Sequence, residues 1–149
     1  MHDKEIQYFV EGLNLAKNEF YLDAINKFDM LIDEYSQSDL ADDALYNVGL
    51  CYFKINQFEQ AIETFNQVIT NYPDATISAL DNGNEFGLTA AKCYYGILLL
   101  NLSLGNINKI ESTIEELKKY NENTYVIVDN EKKSYEDLSK ELLIKFREK

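Results

Sequence analysis

Residues 40–73 read LADDALYNVGLCYFKINQFEQAIETFNQVITNYP, and the spacing inside this stretch decides the fold. Apolar residues recur at helical intervals on both sides of Asn56-Gln57, which predicts one helix over Leu40 to Ile55 and another over Phe58 to Tyr72. Pro73 stops the second, because proline offers no N–H and the residue before it avoids the α region. Gly49 and Ala61 stand 12 residues apart, one on each helix, with Tyr52 and Phe65 beside them. Two small residues allow the backbones to cross closely, and the aromatic rings fill the space alongside.

The pattern is a copied unit. Aligning Gly12 with Gly49, a spacing of 37, puts Ala24 on Ala61, Phe28 on Phe65, Leu31 on Val68 and Tyr35 on Tyr72. The first copy predicts a helix around 3–18 with Ile6, Phe9, Val10, Leu13 and Leu15 at helical spacing. A turn at Asn18 to Tyr21 follows, then a helix over Asp23 to Tyr35 with Ile25, Phe28, Leu31 and Ile32 inward. A third, weaker copy places Leu98 at the Gly49 position, Ile110 at Ala61, Ile114 at Phe65 and Leu117 at Val68. Its helices are predicted over Thr89–Leu104 and Ile107–Tyr120, broken at Gly105-Asn106. Between the second and third copies lies an insert, residues 76–88, which reads as a loop with a helical turn over Thr76–Leu80.

The tail holds two signals. Thr124-Tyr-Val-Ile-Val128 is β-branched, a strand signal with no obvious partner strand. Ser134 opens a capping pattern with Asp137 three residues on, and Tyr135, Leu138, Leu142 and Phe146 form one apolar stripe. A terminal helix over Tyr135 to Arg147 is therefore expected to cover the open end of the array, whose last unit otherwise leaves its apolar face in water.

Composition narrows the function. The 149 residues suit a single domain, and one proline with six glycines suits long helices. A net charge of −12 argues against nucleic acid and anionic lipid as partners, since both require a Lys/Arg face. The lone histidine is His2, beside the terminus, so no Ser-His-Asp or Cys-His arrangement can be built within one chain, and no Gly-rich phosphate loop is present. An enzyme is not expected, nor a cofactor or a bound metal. Asp81-Asn82-Gly83-Asn84-Glu85 hints at calcium but lacks the ligand order and the twelfth-position glutamate of a calcium loop, so it reads as a turn. Cys51 and Cys93 have no C-x-x-C spacing and read as small buried hydrophobes in a reduced compartment. The first residues lack a signal-peptide pattern and no run of 18 apolar residues occurs. The expectation is a soluble, cytoplasmic protein without direct membrane insertion, or a periplasmic one if a leader has been removed.

These residues resemble the tetratricopeptide repeat. The second copy carries its signature as Leu45, Val48-Gly49, Tyr52, Ala61, Phe65, Val68 and Pro73. The first keeps Tyr8, Gly12, Ala24, Phe28 and Leu31, with Glu11 and Ser36 as departures, and the third keeps only hydrophobicity. The resemblance implies an all-α, right-handed superhelix of about three repeats (about 4–38, 42–75 and 89–121) with a C-terminal segment and capping helix over 122–149. The phrases Tyr46-Asn-Val-Gly-Leu-Cys-Tyr and Val68-Ile-Thr-Asn-Tyr-Pro-Asp resemble the bacterial branch, which includes Tol-Pal accessory proteins and outer-membrane assembly lipoproteins. This chain departs from those in showing no lipid-attachment cysteine or leader.

In that family the first helix of each pair lines a concave, protein-binding groove. The resemblance therefore implies groove positions for Phe9 and Leu13, for Tyr46, Asn47, Leu50 and Phe53, and for Lys92, Tyr95 and Leu99. Such an apolar, aromatic groove suits a helix or an extended peptide. Some relatives grip a C-terminal carboxylate with two Lys, two Asn and an Arg. Here only Asn47 and Lys92 match, while Phe9, Leu13 and Gly96 stand at the other places, so a complete clamp is not expected. Three occupants stay open: a partner peptide, the chain's own tail (Val126–Val128 or Tyr135–Phe146), or a second copy in a homodimer.

Overall fold

The computed structural model of the protein describes residues 3–148; His2 lies outside the described residues. Three helix pairs follow one another along the chain. α1 (Asp3–Lys17) packs on α2 (Tyr21–Glu34), α3 (Ala41–Lys54) on α4 (Phe58–Asn71) and α5 (Thr89–Leu104) on α6 (Ile107–Lys118). α7 (Tyr135–Arg147) packs against α5 and α6 and closes the array. The helices fall within two residues of the apolar periodicity at every end. Among the described residues, none is long and apolar enough to cross a membrane.

Each pair turns in the same way. Glu19, Asn56 and Gly105 occupy equivalent places and all adopt left-handed backbone, with φ of 68°, 63° and 75°. The next residue's N–H then reaches back to the carbonyl five residues earlier: Phe20 to Leu15 at 2.8 Å, Gln57 to Tyr52 at 2.8 Å and Asn106 to Asn101 at 2.9 Å. This closure satisfies carbonyls that a helix end leaves open.

Phenylalanine rings set the spacing between helices. Phe28 packs against Gly12 and Phe65 against Gly49, and both rings are fully buried. A Cβ on Gly49 would come within 2.7 Å of the Phe65 ring, and one on Gly96 within 3.0 Å of its other edge. Phe65 of α4 therefore sits in a notch between α3 and α5. The third pair has no such notch: Leu98 stands at the glycine position and forms a cluster with Ile110, Ile114 and Leu143 of α7.

Two expectations for the tail are corrected. The Ser134 cap forms as read, its hydroxyl accepting from Asp137 N–H at 3.0 Å. The buried row of α7 is instead Tyr135, Ser139 and Leu143, one turn apart, while Phe146 is exposed and Leu142 only half-buried. The apolar stripe misled because the position between Tyr135 and Leu143 is a serine. The 124–128 segment also has partners. β2 (Tyr125–Val128) lies between β1 (Glu85–Phe86) of the insert and β3 (Glu131–Lys133), both antiparallel to it. Asp129 and Asn130 make the β2–β3 turn with positive φ at both positions, as a two-residue hairpin requires.

No helical turn forms over Thr76–Leu80. Thr76 instead bridges to Leu88, and a turn follows over 79–82. Gly87, with φ of 112°, lies so close to Asn123 and Thr124 that any Cβ would overlap them, and Leu88 N–H donates to the Thr124 hydroxyl at 3.1 Å. The insert is thus fastened to the tail.

Gly49→Ala tests the notch. Alanine favours helix by about 1 kcal/mol over glycine, but overpacking against Phe65 costs about 1–3 kcal/mol. We expect a lower thermal midpoint for the variant; a raised one would show that the ring does not fill the space.

Candidate binding surface

α1, α3 and α5 share one side of the array, and among the described residues two hollows between them make that side a concave face. One, of about 560 Å³, lies between α1 and α3 and includes Leu13, Lys17, Asn47, Leu50 and Lys54. The other, of about 630 Å³, lies between α3 and α5 and includes Tyr46, Leu50, Phe53, Lys92, Tyr95 and Leu99. They meet at Leu50 and Lys54, with Asp81 and Asn82 of the insert lining both. Val126 of β2 with Tyr135 and Leu138 of α7 form the far wall of the larger hollow.

Eight of the nine positions expected on the groove line these hollows; Phe9 does not. Its ring is fully buried, 5.9 Å from that of Phe28, because the first pair needs it to fill its own core. Leu13, Leu50, Phe53, Tyr95 and Leu99 are half-buried and present apolar surface. Tyr46, Asn47 and Lys92 are engaged with the protein itself. The Tyr46 ring packs 5.5 Å from Phe65, with the Lys92 ammonium 4.2 Å from its centre. Asn47 Nδ2 donates to the Asp43 carbonyl at 2.8 Å and to Asp81 Oδ2 at 3.1 Å.

Lys92 is held by the insert. Its Nζ lies 3.1 Å from Glu85 Oε1 and 3.4 Å from Asp81 Oδ2, and all three side chains are largely buried. Burial alone would depress this ammonium, but Tyr46, Asp81 and Glu85 around it prevail and hold it above the ordinary lysine value. Tyr135 donates to the second Glu85 oxygen at 2.8 Å and packs 5.2 Å from Tyr95. The acids that suggested calcium thus turn onto a lysine, and among the described residues no three His, Cys, Asp or Glu side chains could hold a metal ion.

Residues 43–75, the second helix pair, match the tetratricopeptide repeat model. The chain is 31% identical over 65 residues to a chloroplastic protein of Arabidopsis thaliana, a match covering 43% of this chain and 19% of that protein. Two solved structures share the architecture. The Saccharomyces cerevisiae Hsp90 co-chaperone Cns1 is matched over 99% of this chain and 43% of its own, at TM-score 0.59 and 19% identity. The Rap conjugation gene regulator of plasmid pLS20, in complex with the Phr* peptide, is matched over 80% and 31%, at TM-score 0.58 and 17% identity. The fold is that of an all-α tetratricopeptide-repeat solenoid. The chain spans about a fifth of the curated relative's length and less than half of either structural one.

At its first turn, α3 carries two buried acids. Asp42 accepts from the Thr89 hydroxyl, and Asp43 Oδ1 accepts from Ser78 N–H at 2.8 Å, so the pair anchors both ends of the insert. Asp43 Oδ2 is buried with no hydrogen-bond partner among the described residues. Burial, and then the Asp42 charge beside it, push Asp43 up to about 8, and burial also raises Asp42. The folded state therefore keeps a proton on Asp43 that the unfolded chain releases near pH 4. Between pH 4 and 8 the folded state binds more protons, so stability falls as pH rises through that window. Asp43→Asn keeps an acceptor for Ser78 and removes the titration. Thermal unfolding should show the wild type losing more stability from pH 5 to pH 8 than the variant; equal losses would contradict the assignment.

Proposed function

We propose that this chain is a non-enzymatic interaction module that takes a peptide or helix of a partner protein against the concave face of α1, α3 and α5. The observation that carries the reading is the larger hollow, about 630 Å³, beside the half-buried Leu50, Phe53, Tyr95 and Leu99. Half-buried apolar side chains around a concavity of that size suit anchor residues from a partner. The similar Rap regulator was solved with a peptide, which accords with such a role. Kinship with the bacterial Tol-Pal type rests on the two phrases at 46–52 and 68–74, and the fold and a binding role, not the pathway, are carried over from it.

A second reading has its own support. Val126, Tyr135 and Leu138 line the hollow, and Tyr135 is tied to Tyr95 and Glu85. In that reading the tail completes a structural scaffold and the groove serves no partner. A pull-down with mass spectrometry from the native host separates the two. The wild type is compared with Leu50→Glu, which puts a charge at the centre of the concave face, and with Glu63→Lys on exposed α4. Loss of most of a retained protein with folded Leu50→Glu, but not with Glu63→Lys, is the expected result. The same proteins retained by all three would favour the scaffold.

A further inference from the structure

The concave face carries a charge pattern opposite to that of the whole chain. Lys17 and Lys54 are the last residues of α1 and α3, and they stand 37 apart, at equivalent places in the first two repeats. Each lies one helical turn after a leucine of the groove, Leu13 or Leu50, and so on the same helix face. Both side chains line the smaller hollow, and Lys54 borders the larger one as well. Both are exposed, and among the described residues neither joins an ion pair, whereas the buried Lys92 is already paired twice. Among the described residues, Asp81 is the one carboxylate lining the smaller hollow, and it is turned onto Asn47 and Lys92. Two repeats thus offer the same pair: an apolar step followed by an uncommitted cation.

We infer that the partner segment is an apolar peptide with acidic side chains, its apolar residues on Leu13 and Leu50 and its carboxylates on Lys17 and Lys54. This rests on the groove-binding reading above. The carboxylates come from internal Asp or Glu side chains and need no free C-terminus, because Asn47 and Lys92 already bind the chain's own Asp81. The net charge of −12 alone favours the opposite, a basic partner, so the two expectations part cleanly.

The test is selection of a displayed library of random twelve-residue peptides, fused so that no free C-terminus is offered, on the full chain. Enriched peptides are then measured by fluorescence polarisation at low and high salt against the wild type, Lys17→Glu/Lys54→Glu, Lys17→Gln/Lys54→Gln and Leu50→Glu. Circular dichroism confirms that each variant folds. The expected result is enrichment of Asp or Glu beside Leu, Ile or Phe. Affinity should fall about tenfold in the charge-reversed variant, less in the glutamine variant, and with added salt. Basic peptides enriched on the wild type would overturn the inference. So would acidic ones that bind both lysine variants unchanged, and if Leu50→Glu still abolished their binding the groove reading would stand. No enrichment at all would overturn both.

Discussion

The Phe65 ring in the notch between Gly49 and Gly96 is the contact on which the rest of the structure depends. It fixes how near α3 and α5 come to one another through α4, and with that the width of the concave face. A larger side chain at either glycine would have to displace a fully buried ring, and a close-packed core has little free volume into which it could move. Phe28 on Gly12 makes the same contact one repeat earlier. Where the third repeat replaces the glycine with Leu98, α7 supplies Leu143 to complete the packing. The terminal helix is therefore a consequence of the missing notch as much as a lid on the array.

Width alone does not shape the surface; charge does the remainder. Lys92 on α5 is too buried to be solvated, so it needs carboxylates at hand, and Asp81 and Glu85 of the insert supply them. That pairing draws the insert onto the concave side, where Asp43 accepts from Ser78 and Asn47 donates to Asp81. Once there, Glu85 and Phe86 pair with β2, and Tyr135 of α7 closes on Glu85. Insert and tail together become walls of a hollow whose floor is made by the repeats.

Much of this was legible in the residues. Helical spacing, the 37-residue copy, the Ser134 cap and the turn at Gly105 are local, and local signals survive folding unchanged. The leucines and aromatics of the concave face follow from the same repeat. The sheet was not legible, because β1 has two residues, too short for an alternation to show, and β3 is Glu-Lys-Lys, which carries no β-propensity. Only the Asp129-Asn130 pair, two residue types that tolerate left-handed backbone, marked the hairpin. The repeat resemblance put Phe9 on the groove, but a family position does not say which side chain the first pair needs for its own core, and there Phe9 packs on Phe28. The commitment of Lys92 to Asp81 and Glu85 is a tertiary fact, invisible until the insert folds back.

If the tail and insert wall the hollow without filling it, Leu99 stays open to solvent in the folded protein. Reaction of a Leu99→Cys thiol with a small maleimide reads out that openness. Cys51 and Cys93 serve as internal references, since both are buried and burial raises both thiols above the usual range. Rapid modification at position 99 is expected while the two native cysteines stay protected. Modification at 99 as slow as at Cys93, appearing only as the protein unfolds, would contradict that openness.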